Sequence, residues 1–258
     1  GVDRRGPGRP GTLTMRTELL YGVHPVTEAL QAGRRKVMDI RVAKGRPAPR
    51  LAEAVAAAQS RNIPVREVAA EQLASMAGSP GHQGIVAKVG PYPLMELPDL
   101  WIGDAPFLLV LDGVVDPQNL GALVRSGLCV GIDGVIIPKD RAASPTPAAS
   151  KASAGALEHV RLARVTNLAN ALRDLRDQGV WIAGLVRSEA TPLFDADLTG
   201  PLALVVGGEE KGIRPRVRSF CDFGLAIPQA GPVDSLNASV AGAVALYEAF
   251  RQRRAIHT

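Results

Sequence analysis

At 258 residues, 46% of them hydrophobic, the chain exceeds one average domain and has the apolar material for a sizeable core. No apolar run approaches the roughly 18 residues of a membrane span, and two cysteines, Cys129 and Cys221, argue against a disulfide framework. The net charge of +5 is concentrated early: residues 1 to 106 hold 14 Lys and Arg against 10 Asp and Glu, the remainder 16 against 15.

Residues 1 to 17 are rich in Gly, Pro and Arg without periodicity, which predicts a disordered basic arm or an expression remnant ahead of Met15. Gly1 to Arg16 lack the apolar core of a signal peptide, so a cytoplasmic location is expected. From Tyr21 the pattern predicts a short helix near Pro25 to Ala32, a strand Val37 to Val42 and an alanine-rich helix Pro49 to Ser60. Strands Val65 to Val68 and Gly84 to Val89 complete a small α/β domain over residues 18 to 90. Within it, Arg34, Arg35, Lys36, Arg41, Lys44, Arg46 and Arg50 face only Asp39 in 17 residues. Such a cluster suits a surface that meets an RNA backbone, and it equally suits a solvated face.

Pro91 to Pro98 hold three prolines in eight residues, which marks residues 91 to 105 as a linker. Beyond it, apolar runs Phe107 to Leu111, Val135 to Ile137, Val160 to Val165, Trp181 to Val186, Leu202 to Val206 and Leu225 to Ile227 read as strands. Helical patterns fall at Leu120 to Val130, Leu168 to Gln178 and Leu236 to Arg251, and Ala143 to Pro147 reads as a flexible loop. Continuously apolar strands alternating with helices predict a largely parallel sheet covered on both faces, over residues 106 to 258.

Three segments follow strands of this sheet, where ligands bind in open α/β folds. Asp116-Pro-Gln-Asn119-Leu-Gly-Ala-Leu-Val-Arg125 places Asn119 near a helix start and Arg125 nearly two turns later. Alone, Asn119 could be an N-cap and Arg125 a surface residue. Gly207-Gly-Glu209-Glu-Lys-Gly212 lets a ligand approach the backbone, and it is neither a phosphate-binding loop nor a dinucleotide fingerprint. Ile227-Pro228 runs through Gly231-Pro232 to Asp234-Ser235-Leu236-Asn237, where Ser235 could cap the final helix. His24, His82, His159 and His257 have no metal-ligand spacing, so no metal is expected. No GxSxG elbow occurs for a hydrolase.

Together the three segments resemble, in order, the motifs of the SpoU family of RNA ribose 2′-O-methyltransferases, nearest to bacterial enzymes that methylate a guanosine of 23S ribosomal RNA. The resemblance covers residues 19 to 253. It implies S-adenosylmethionine as cofactor, a catalytic set of Arg125, Asn119, Glu209, Ser235 and Asn237, and cofactor contacts from Gly207, Ile227 and Leu236. It also implies a deep trefoil knot in the catalytic domain, a homodimer, and an amino-terminal domain like ribosomal protein L30e that engages RNA. His82-Gln-Gly84 resembles a recurrent element of that domain, with a structural role expected. The alternatives are a transfer-RNA methylase, an antibiotic-resistance methylase of ribosomal RNA, and a non-catalytic ribosome-assembly factor. The last is disfavoured by ten aromatic residues, few platforms for stacking single-stranded RNA.

Overall fold

The computed structural model describes residues 16–187, 190–232 and 235–256. The expected arm therefore lies almost wholly outside the described residues, as do Asp234 and His257.

The first sheet is built from β1 (Glu18–Tyr21), β2 (Val37–Ala43), β3 (Val65–Val68) and β4 (Ile85–Val89), in the order β1-β4-β2-β3. β4 runs antiparallel to β1 and β2, while β2 and β3 are parallel. Helices α1 (Val23–Ala32), α2 (Pro49–Gln59) and α3 (Ala70–Ala77) join these strands. α1 stops at Gly33, whose φ of 62° is the left-handed conformation that ends helices. Leu20, Val26, Leu30, Ile40, Leu51 and Ile85 form this unit's core.

The second sheet has seven strands in the order β7-β6-β5-β10-β8-β11-β9, and every registered pair is parallel. In chain order it comprises β5 (Phe107–Asp112), α4 (Pro117–Cys129), β6 (Gly134–Pro138), α5 (Pro147–Ala152), β7 (Leu162–Val165), α6 (Leu168–Asp177) and β8 (Trp181–Leu185). Then follow β9 (Thr191–Pro192), β10 (Leu202–Gly207), α7 (Pro215–Arg218), β11 (Phe223–Ala226) and α8 (Ala238–Ile256). β5 shows why the strands read as unbroken apolar runs. Leu109 and Leu111 pack with Leu123 of α4 and Leu246 of α8, whereas Leu108 and Val110 pack with Leu172 of α6. Both faces are buried, so no polar alternation survives.

Several boundaries differ from the sequence reading. Asp116, not Asn119, caps α4: its Oδ1 accepts from the Gln118 amide at 2.9 Å. Ser235 does not cap α8. Asn237 does, with Oδ1 accepting from the amides of Ser239 (2.9 Å) and Val240 (3.2 Å). The loop expected at Ala143 to Pro147 holds through Thr146, which caps α5, its Oγ1 accepting from Ala149 N at 3.3 Å.

The two units meet along a polar seam. Arg35 is 5% exposed. It donates to Glu158 Oε1 at 3.3 Å and to the Gly90 carbonyl at 2.8 Å, and it pairs with Glu18. Ser150 Oγ donates to the same Glu158 oxygen at 2.8 Å. Arg34 donates to the carbonyls of Val160 and Pro93. Arg35 therefore cannot be the RNA contact that the charge cluster suggested, and Arg34 is committed to the same seam. Both are held against the second unit, where a buried guanidinium needs fixed acceptors. Arg41 is half-buried beside Asp39 (3.5 Å), while Lys36, Lys44 and Arg46 are exposed. Gln83 of the His-Gln-Gly element joins the seam, its Oε1 accepting from Lys151 Nζ (2.7 Å) and Val23 N (3.1 Å).

Candidate active site

Because the strands are parallel, the loops after β5, β10 and β11 emerge at one edge of the sheet. β5 and β10 are adjacent, with Gly207 in register with Asp112. The chains close tightly here. A Cβ on Gly207 would sit 2.1 Å from the Gly212 carbonyl carbon, and one on Gly208 would sit 2.2 Å from the Gly113 oxygen. These separations admit only glycine.

Asp112, fully buried, locks this edge. Its carboxylate accepts from Arg214 Nε and the Arg214 backbone amide, each at 2.7 Å. A charged residue ending an otherwise apolar strand was the sequence signal for this lock.

Asn119, in the first turn of α4 and 8% exposed, points into the cluster. Its Nδ2 donates to Glu209 Oε1 at 2.9 Å. Asn237 Nδ2 donates to the same oxygen and to Asn119 Oδ1, the latter at 3.2 Å. Three of the residues singled out from sequence thus form one hydrogen-bonded cluster. Glu209 is exposed, and its Oε2 makes no hydrogen bond among the described residues.

Cavities lie on both sides of the loop 208–212. The first, about 310 Å³, is lined by Gly207, Ile227, Ser235 and Leu236, with Arg187 and Arg218 also reaching it. All three expected cofactor contacts are therefore brought together. Val186, Val206 and Ala241 give it apolar walls suited to a flat ring, while the strand-end backbone and two arginines suit polar and anionic groups. These features fit S-adenosylmethionine, which combines a base, a sugar and an amino-acid carboxylate. The second cavity, about 330 Å³, is lined by Asp112, Asn119, Glu209, Arg141 and Arg214.

Arg125 is exposed on α4, and the lining of neither cavity includes it. Among the described residues, no group of three or more His, Cys, Asp or Glu could hold a metal ion. No helix among them is long and apolar enough to cross a membrane.

The description "SpoU rRNA Methylase family" matches residues 106–247, more than half of the chain. The chain belongs to the SpoU rRNA methylase family. A second description, "RNA 2'-O ribose methyltransferase substrate binding", matches residues 19–95 of this SpoU protein. It is 42% identical over 241 residues to the 23S rRNA (guanosine-2'-O-)-methyltransferase RlmB of Escherichia coli K12, covering 92% of this chain and 99% of that protein. The same-named protein of Photorhabdus laumondii is 43% identical over the same length.

Among solved structures, the SpoU methyltransferase AviRb from Streptomyces viridochromogenes, in complex with the cofactor AdoMet, superposes with a TM-score of 0.79 at 25% identity. That likeness covers 93% of this chain and 91% of the other. A tRNA-modifying TrmH/SpoU enzyme of A. aeolicus covers 60% of this chain, with a TM-score of 0.54.

Proposed function

We propose that this protein transfers a methyl group from S-adenosylmethionine to a ribose 2′-hydroxyl of RNA, with a guanosine of 23S ribosomal RNA as its target. One observation carries the reading: the Asn119–Glu209–Asn237 cluster stands between two cavities, one of them lined by Gly207, Ile227 and Leu236. The ribosomal target rests on the RlmB relatives, which match almost end to end. The transfer-RNA reading is weaker because the tRNA-modifying structure matches less of the chain.

S-adenosylmethionine, when bound, supplies an electrophilic methyl on sulfonium. The chain's own residues must place the hydroxyl and remove its proton. Asn119 and Asn237 hold Glu209 Oε1, which leaves Oε2 as an acceptor for that proton, directly or through water. Ser235 lines the cofactor cavity beside this point and shapes the reacting site. Arg125 is a reluctant base, since a guanidinium holds its proton strongly. Its part is to stay charged, grip the neighbouring phosphate and favour the developing alkoxide.

Arg125 lies outside both cavities of its own chain, which supports a homodimer in which it serves the partner's site. Exposed Val240 (48%) and Tyr247 (51%) on α8, which packs beside α4, provide apolar surface for that contact. A trefoil knot belongs to the same proposal, supported by the tight passage of Gly208 against Gly113. So does a division into an RNA-binding domain, residues 18–90, and a catalytic domain, residues 106–258, joined by residues 91–105. In the first, exposed Lys36, Lys44 and Arg46, with half-buried Arg41 beside them, are the remaining candidates for RNA contact.

Sedimentation velocity tests the dimer; a monomer at micromolar concentration that still methylates RNA would contradict it. Methyl transfer to unmodified RNA tests the activity.

A further inference from the structure

The cavity on the far side of the Asn119–Glu209 wall contains a cation that none of the three motifs explains. Arg141 lies in the loop between β6 and α5, exposed, with a φ of 56°. A non-glycine residue seldom adopts that backbone, and at ligand sites such strain is held by the surrounding structure. Here the loop is tied to its neighbours: Ala143 N donates to the Val114 carbonyl at 2.8 Å, and Lys139 N to the Val165 carbonyl at 2.8 Å. Arg141 itself makes no hydrogen bond, ion pair or ring contact among the described residues.

Three of the four acids lining the cavity are already committed, and the fourth, exposed Glu210, adjoins exposed Lys211 in the chain. Asp112 is satisfied by Arg214, Asp116 caps α4, and Glu209 holds two amides through Oε1. A ligand entering this space therefore meets an unpaired guanidinium at the lining and the Asn119–Glu209 pair at the wall. That pairing of features matches a phosphate joined to a sugar hydroxyl. The volume, about 330 Å³, is near the small end of ligand cavities and has room for one nucleotide rather than a duplex.

We propose that this second cavity receives the single, unstacked nucleotide being methylated, with Arg141 binding its phosphate and the Asn119–Glu209 wall receiving its ribose. This rests on the ribose-methyltransferase reading above. The two cavities share Gly208–Gly212 and Ala238, so ligands in each meet across one wall. An unpaired nucleotide suits this recess because a nucleotide stacked in a helix cannot bring its sugar and phosphate in between the facing loops.

The test compares Arg141→Asn, Arg141→Lys and a remote control, Arg173→Asn on α6, using unmodified large-subunit ribosomal RNA and labelled S-adenosylmethionine. Asparagine suits the left-handed backbone, so the charge is removed without strain. The expected result is an RNA KM raised on the order of five- to tenfold for Arg141→Asn, with calorimetric affinity for S-adenosylmethionine unchanged. The slope of log RNA affinity against log salt should fall by about 0.7 to 1, the loss of one phosphate contact. Arg141→Lys should recover most of both, and Arg173→Asn should match the wild type. An Arg141→Asn protein with the wild-type RNA KM and salt slope would overturn the proposal, as would one that fails to bind the cofactor. A wild-type protein that binds S-adenosylmethionine yet methylates no RNA would overturn the underlying reading before any variant is made.

Discussion

Asn119 and Glu209 stand 90 residues apart in the chain and meet through a 2.9 Å hydrogen bond at the edge shared by β5 and β10. The amide must donate for the contact to exist, because its partner is a carboxylate. Asn119→Asp would set two carboxylates face to face, whereas Asn119→Ala only removes the bond. The aspartate variant should lose more methyl-transfer activity than the alanine variant, with either falling on the order of 100-fold through misplaced groups. Single-turnover rates with saturating cofactor measure the difference.

Arg125 projects from α4 beyond both cavities of its own chain. Arg125→Ala should therefore abolish transfer while leaving the affinity for S-adenosylmethionine within about twofold. Calorimetry paired with labelled-methyl incorporation checks both halves; near-normal turnover would remove Arg125 from the chemistry.

Gly207 has no space for a methyl group, with the Gly212 carbonyl carbon 2.1 Å from where a Cβ would be. Gly207→Ala must displace the 208–212 loop that separates the cavities. Overpacking of this kind costs about 1–3 kcal/mol and here also spoils cofactor binding. The expected outcome is a folded protein, by circular dichroism, whose calorimetric titration with S-adenosylmethionine is flat.

Arg35 and Glu158 are each only 1% exposed at their side chains, and they join the two sheets of the molecule. Arg35→Ala strands Glu158 and should cost about 3–5 kcal/mol, lowering Tm by roughly 10 °C. Burial is the largest influence on Glu158 and raises its pKa, with Arg35 and Ser150 offsetting part of the shift. A raised carboxyl favours the protonated native state. Its contribution is complete below the ordinary glutamate range, near pH 4, and is lost as pH rises through the higher native value. The Tm of wild type relative to Glu158→Gln should accordingly fall with increasing pH in that window, as calorimetry across pH would register.

Burial raises the Cys221 thiol to about 11, while Cys129 is exposed. A thiol reagent at pH 8 should modify Cys129 first and Cys221 only on unfolding, because the thiolate is the reactive form. Peptide mapping after brief labelling decides the order.

The second sheet was legible because its central strands β6, β5 and β10 are buried on both faces, leaving unbroken apolar runs. The site was legible where glycine and polar residues interrupt those runs: Gly207, Glu209 and Asn237 stand at strand ends or a helix start. What escaped depended on partners distant in sequence. Arg35 reads as one more charge in a basic cluster, and only the fold brings Glu158, 123 positions away, against it. α3 was hidden because Leu73 is its only buried side chain, too weak a stripe to betray a helix. β1 escaped as four residues at the sheet edge, paired with β4 alone. Arg141 carries no motif at all, and its significance lies in the cavity it lines.

The central claim, methylation of a ribose hydroxyl in ribosomal RNA, is tested most directly by incubating the protein with labelled S-adenosylmethionine and unmodified total RNA, then mapping 2′-O-methyl groups on the labelled species. The account predicts one labelled guanosine in large-subunit RNA, with no label when Arg125 is alanine. Label confined to transfer RNA, or cofactor binding with no label in any RNA or ribosomal precursor, would contradict it.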